Sequence, residues 1–250
     1  MSGIALHKSR PLIVLWMMVC IGLLSGCSTT GAPGGDPFEP YNRGMSNFNL
    51  AVDENVLVPV ARGYKTVLPS PARNGIKNFF LNLREPLNIV YDVLQGKFRM
   101  AGRSTGRFLI NTILGFGGLN DVASYMDLPR RGEDFGQVLA VWGIPSGPHL
   151  VLPFLGASNI RDTFGLVPNF AYRSATSVGS PEDTIATIVE IVDIRSRLLG
   201  TEDLLNLQPD KYLFLRETYR QRRQAQIMDQ SPSQQGPSDD ELLDELFEDN

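Results

Sequence analysis

Few residues of this 250-residue chain are equipped for catalysis. His149 is the one histidine beyond residue 7, and Ser146 precedes it by three positions, a spacing that could bring a base near a hydroxyl. Yet Ser146 is wedged between Pro145 and Gly147, and the G-x-S-x-G turn that exposes a nucleophile is absent. A lone histidine cannot build a multi-histidine metal site. The run Gly115-Phe116-Gly117-Gly118 has no strand pattern before it and no Lys-Ser or Lys-Thr after it, so it does not form a phosphate loop and reads as a flexible break between helices. Glu133 with Asp134, and Asp239 with Asp240, are neighbours in sequence, which does not make them an acid and base pair. The sequence therefore predicts a protein that is not an enzyme and needs no metal or cofactor. One constellation remains: Arg99, Arg103 and Arg107 stand four apart, along one helix face, with Gly102 and Gly106 beside them. Such a row can meet phosphates, which guanidinium groups bind bidentately, or it can be a solvated or internally paired face.

Where these residues act is set by the amino terminus. HKSR is followed by thirteen apolar or small residues, Leu12 to Leu24, and then by Ser25, Gly26 and Cys27. A basic start, a short apolar stretch and small residues at a cleavage site make a secretory signal. The apolar stretch is shorter than the roughly 20 residues a membrane-spanning helix needs. Leu24-Ser25-Gly26-Cys27 resembles the lipobox of bacterial lipoproteins, which implies cleavage before Cys27 and its acylation by chains such as palmitate. Cys20 leaves with the signal, so no disulfide or free thiol is expected, and an exported protein of this kind depends on its core or its surroundings for stability. Ser28, rather than an aspartate, goes with sorting to the outer membrane in lipoproteins of this type.

Removing residues 1–26 leaves 224, which fits one large domain. We expect a flexible tether over 27–36, an α-helical domain over 37–228 and an acidic tail over 229–250. The tail holds eight acids and no Lys or Arg, whereas residues 27–228 carry a net charge of +2, which suits a body beside anionic headgroups or simply an ordinary solvated surface. Helical spacing dominates from Tyr41 onward, in pieces punctuated by Pro and Gly, and no run alternates as a strand would, so the fold class is all-α. A helix beginning at Ser180-Pro181-Glu182-Asp183 carries Ile185, Ile188, Val189, Val192, Leu198 and Leu199 on one side, widened by Ile191 and Ile194, and stops near Gly200; its apolar side is expected to face the core, with membrane contact as the alternative. Another follows Pro209 and ends in Arg220, Arg222 and Arg223. In the tail, Leu242, Leu243, Leu246 and Phe247 share one side of a short helix that is marginal alone and suited to folding on a partner, or to remaining a solubilising tail. Nucleic acid is not an expected partner at a pI near 5.3.

Gly143 to Gly156, GIPSGPHLVLPFLG, sets strongly apolar side chains among three prolines and three glycines, so neither a long helix nor a paired central strand is expected there.

Four blocks in one order, DPFEPYNRGMSNFN, LPSPARNGIKNFFLNLREPLN, FLINTILGFGGLNDVA and DFGQVLAVWGIPSGPHLVLPFLGASNIRD, resemble the MlaA (VacJ) family of outer-membrane phospholipid-transport lipoproteins. The resemblance runs from about Asp36 to Tyr219 and departs at His149 and Ala157. It implies a ring-like helical lipoprotein facing the periplasm, anchored by lipid and embedded in the inner leaflet of the outer membrane, with an amphipathic channel for phospholipids. It further implies a periplasmic lipid carrier protein as recipient, and association of family members with trimeric porins. On this reading Asn47, Phe48 and Asn49 lie near the channel, Phe48 holding a gating segment shut and the asparagines donating hydrogen bonds. Pro145, His149, Pro153 and Phe154 belong to a rim or channel wall whose backbone must find partners on neighbouring helices. Arg99, Arg103 and Arg107 are candidates to meet headgroups, and Leu242 to Phe247 to recruit the carrier. A structural envelope lipoprotein that scaffolds without moving lipid is the alternative.

Overall fold

The computed structural model describes residues 35–176 and 181–229. Cys27, most of the tether, the Ser180 cap and the tail residues Leu242, Leu243, Leu246 and Phe247 lie outside the described residues. Helix α1, Glu39–Val52, starts with Pro40 in its first turn and Glu39 at its positive end, both favourable there. It runs through a π-helical segment, Asp53–Leu57, into α2, Val58–Val67, which has Pro59 near its start. Pro59 lacks an N–H and its ring crowds the carbonyl four residues back; a one-turn widening lets the rod continue past it. After Leu68 and Pro69, α3 spans Ser70–Leu94 and turns back through Gly96, at φ +75°, into α4, Phe98–Ile113.

Asp121 then caps a 3₁₀ turn, Val122–Met126, and Asp134 caps α5, Phe135–Val141. Strands β1, His149–Leu152, and β2, Gly156–Asn159, pair antiparallel with His149 opposite Asn159 and Leu152 opposite Gly156. Asn159 caps α6, Ile160–Gly165, which leads into α7, Val167–Thr176. The chain resumes with α8, Pro181–Ser196, then α9, Thr201–Asn206, and α10, Lys211–Ile227, which Asp210 caps. The class is all-α with one hairpin.

The GIPSGPHLVLPFLG segment holds neither a long helix nor a central strand, but it does contain a short edge strand of four residues bounded by Pro148 and Pro153, too short for alternation to register as a period. Three sequence expectations need correction. The run Gly115 to Gly118 is a tight turn, with Gly117 N–H donating to Thr112 and Gly118 N–H to Asn111. A Cβ on Gly115 would lie 2.2 Å from the Asn120 carbonyl oxygen, so the backbone itself demands glycine there. Helix α8 stops at Ser196, and Gly200, at φ +100°, opens α9. Its apolar side is divided: Val192 is buried and Val189 and Leu199 half-buried, whereas Ile185, Ile188, Ile191, Ile194 and Leu198 are exposed while Glu190, Asp193 and Ser196 are buried.

That inversion extends through the molecule. Buried polar and charged side chains outnumber buried apolar ones among the described residues, and phenylalanines, leucines and isoleucines are spread over the exterior. Water would disfavour both choices, whereas an apolar surrounding favours the exterior and makes internal pairing of the polar groups obligatory. No described helix is long and apolar enough to cross a membrane.

Candidate functional site

On α1, positions 42, 46 and 49 share one face by helical spacing. Asn42, fully buried, donates from Nδ2 to the His149 carbonyl at 3.1 Å, and its Oδ1 accepts the Val151 N–H at 2.7 Å. It thereby occupies the edge of β1 that β2 leaves free, offering a donor and an acceptor as a third strand would. Two turns later Asn49 donates to the Leu152 carbonyl at 2.9 Å and accepts the Phe154 N–H at 2.8 Å. Phe154 sits at φ +62°, a backbone region unfavourable for an aromatic residue, so Asn49 supports a strained loop. Between the two asparagines, Phe48 meets the Phe154 ring edge-on, centroids 5.3 Å apart. Phe48 is 44% and Phe154 73% exposed, so this contact has little around it to lock it.

The expected N-F-N motif is therefore divided. Phe48 and Asn49 reach the hairpin, and Asn47 is exposed. The second hydrogen-bonding asparagine is Asn42, which sequence reasoning missed although its seven-residue spacing from Asn49 in YNRGMSNFN places both on one face. Pro145 and Pro153 are exposed beside the hairpin.

The hairpin's opposite flank meets α10. The His149 ring lies 6.1 Å from that of Tyr212 and 5.9 Å from that of Tyr219. Asn159 and the Tyr219 hydroxyl both donate to Asp162. Arg223 bridges Asp162, at 2.8 Å, and Asp134 at 2.7 Å. Gly136 makes room for the bridge, because a Cβ there would lie 2.4 Å from Arg223 Nη2. Burial pushes the carboxyls of Asp134 and Asp162 up, but hydrogen bonds and charge from Arg223 outweigh it and hold both below the usual carboxylate range.

A third polar region lies between α3 and α4. Arg107, 3% exposed, donates to Asp121 at 2.8 and 3.0 Å and to the Leu128 carbonyl, with the Glu85 carboxylate 3.8 Å away. Arg130 stands 3.3 Å from Glu85. Asn111 ties Asp121 to the Ala123 N–H. Burial pushes the Glu85 carboxyl up despite Arg130, Asn88 and Arg107 around it. The structure does not assemble the expected arginine row: Arg99 and Arg103 are exposed, while Arg107 is committed to internal pairing. These elements present two kinds of surface, a polar interior of amides and charges and an apolar exterior with one neutrally fastened hairpin.

Comparison with known proteins bears on what such a molecule does. Residues 34–226 match the family described as MlaA lipoprotein. A relative from Escherichia coli (strain K12), named intermembrane phospholipid transport system lipoprotein MlaA, is 36% identical over 207 residues, covering 80% of this chain and 82% of that protein. A relative of the same name from Haemophilus influenzae is 32% identical over 216 residues, covering 82% of this chain and 86% of that protein. A solved structure, described as the structural basis for maintenance of bacterial outer membrane lipid asymmetry, superimposes with a TM-score of 0.69 at 35% identity and covers 77% of this chain and 99% of that one.

Proposed function

The chain belongs to the MlaA lipoprotein family, and on that premise we propose that it removes misplaced phospholipids from the outer leaflet of the outer membrane and so maintains lipid asymmetry. The observation that carries this reading is the inverted side-chain distribution: exposed isoleucines and phenylalanines outside, asparagines and ion pairs inside. A phospholipid crossing between environments needs a polar path for its headgroup and an apolar side for its chains. A body embedded in the inner leaflet and tethered through acylated Cys27 would offer both, taking lipid from the outer leaflet and barring lipid of the inner one. No bond is made or broken in such transfer. Direction is set by a periplasmic carrier protein that accepts the lipid, and trimeric porins are candidate companions in the membrane.

In this mechanism the hairpin is the movable part. Asn49 and Phe48 hold its loop by neutral contacts, and releasing them would open the path while Arg223 keeps the other flank in place. The acidic tail, through Leu242, Leu243, Leu246 and Phe247, recruits the carrier; deleting residues 237–250 is expected to weaken carrier binding and leave the helical domain folded, and unchanged affinity would reject that role.

Outer-leaflet phospholipid in cells lacking the protein, read by labelling, tests the proposal. A rise that the intact gene reverses and a Cys27→Ala form does not is the expected result. No rise would leave a scaffold in the envelope.

A further inference from the structure

Helix α4 packs with one side and leaves the other open. Ala101, Ser104, Arg107 and Asn111 are buried, whereas Phe98, Leu109 and Ile113 are exposed on the opposite side. Gly102 lies in line with these three by helical spacing, and a Cβ on it would meet nothing within 4 Å. Arg99 and Arg103, four apart, run beside this apolar stripe. Both are exposed, and neither makes an ion pair or hydrogen bond among the described residues.

The chain leaves the described structure next to that open side. Helix α10 ends at Ile227, and Asp229 pairs with Lys97, just ahead of α4, at 2.7 Å and with Arg131 at 2.6 Å. Arg131 also donates to the Met100 sulfur at 3.7 Å, so Asp229 is fastened over the first turn of α4. Asp229 is the first of the eight acids of the tail, and the other seven lie at 239–249 with no Lys or Arg among them. When that segment is helical, Leu242, Leu243, Leu246 and Phe247 share one side, and Asp240 and Asp244, four apart, run beside them. The two patterns are complementary: an apolar stripe edged by two arginines, and an apolar stripe edged by two aspartates at the same spacing.

Eight residues, 230–237, separate Asp229 from Ser238. They stretch to at most about 28 Å. Helix α4, with 16 residues, is about 24 Å long, so the tail segment can lie anywhere along it. A tether this short gives an effective concentration on the order of millimolar, at which contacts too weak to hold a free peptide suffice. A helix of this length is marginal in water and gains stability from the face on which it packs.

We propose that residues 238–247 dock as a short helix on the open side of α4, with Asp240 and Asp244 on Arg99 and Arg103 and the leucines over Phe98, Gly102 and Leu109. The occupant is the chain's own tail rather than an anionic lipid, because the first acid of the tail is already seated at the start of α4 and the rest follows within reach. This contact goes beyond lipid transfer and does not require it. For a tail that recruits a carrier, it is the resting state from which the carrier draws the tail.

The test uses the full acylated chain in vesicles of dioleoylphosphatidylcholine, with a photoreactive residue at Gly102 and, in a second preparation, at Leu246. An adduct joining α4 to the tail at monomer mass is expected from both positions. Arg99→Glu together with Arg103→Glu should weaken it roughly tenfold, because two exposed attractions become repulsions. Adding Asp240→Lys and Asp244→Lys should restore it. Both arginines are exposed and unpaired, so the melting temperature should not move in the reversed variant. Adducts with lipid alone would mean that this face meets the bilayer, and adducts at twice the monomer mass would mean docking between copies; either would overturn the proposal, as would the lack of any adduct from both positions. A tail adduct that neither charge reversal nor its compensation changes would be random contact of a tethered segment, and the proposal would fall. None of these outcomes bears on lipid transfer, which outer-leaflet phospholipid reads separately.

Discussion

Where α1 meets the hairpin the contacts are neutral amides and two exposed aromatic rings; where α5, α6 and α10 meet its other flank they are charges, Arg223 and Asp162 buried and Asp134 half-buried. Neutral hydrogen bonds at a half-exposed site contribute roughly 0.5 to 1.5 kcal/mol each, because water replaces them readily. Breaking a buried ion pair from one side costs about 3 to 5 kcal/mol, because a charge is left without its partner. One flank is thus fastened more tightly than the other. The proposed mechanism, in which the hairpin swings, needs both, since a loop loose on each side would have no defined closed position.

The strongest way to break this comparison is Arg223→Met. Asp162 would remain buried and Asp134 half-buried with no shared cation, and a loss near the lower end of the range for a broken buried pair, about 3 kcal/mol in unfolding free energy, is expected by denaturant titration in detergent. A loss below about 1 kcal/mol would mean that water already reaches the pair, and the flank would no longer count as an anchor.

Acidification separates the charged regions from each other. Asp134 and Asp162 have folded values below their unfolded ones, so their stabilisation is fully present above the ordinary carboxylate range and is lost as pH falls through the lowered values. Glu85 has the opposite sign: its raised value means that protonation on the way down favours the folded state. The melting temperature should therefore hold or rise slightly from neutral to mildly acidic pH and fall below it, and Arg223→Met should remove most of the fall. A monotonic decline from neutral pH that Glu85→Gln leaves unaltered would contradict the assignment.

Within the neutral flank the two asparagines differ. Asn42 is fully buried, so Asn42→Ala strands the His149 carbonyl and the Val151 N–H, at a cost of about 1 to 3 kcal/mol. Asn49→Ala exposes its partners to water and should cost less. Hydrogen exchange at the Val151 and Phe154 amides reads each change separately, and equal effects would erase the distinction between the seated strand and the releasable loop.

Much of the architecture was legible in the sequence because it depends on local chemistry. Pro209 ahead of a helical run and Pro181 at a helix start are signals that act within one turn, and the structure has α10 and α8 beginning beside them. What the sequence hid depends on surroundings. Helix α8 has the same spacing of isoleucines whether they face a core or lipid, so periodicity located the stripe but could not tell that Val192 would be buried and the isoleucines exposed. Arg107 likewise shares a face with Arg99 and Arg103, and only the approach of Asp121 and Glu85 from other elements converts it into an internal partner. Asn42 could have been found from its seven-residue offset to Asn49, but an amide standing in for a strand becomes visible only when the strand is known.

Phe48→Ala is the finest probe of the comparison, and the smallest in stability. Its edge-on contact with Phe154 is worth about 0.5 to 1.5 kcal/mol beyond area, and with both rings exposed the lower end applies. Unfolding free energy should hardly change. The closed population of a loop held by so few contacts should change considerably, because about 1.4 kcal/mol is a tenfold shift between two conformers. Envelope permeability and outer-leaflet phospholipid should therefore rise while the melting temperature stays within a few degrees of the parent. Should stability and permeability both remain unaltered, Phe48 is simple packing, and the ability of the hairpin to move would rest on Asn49 alone.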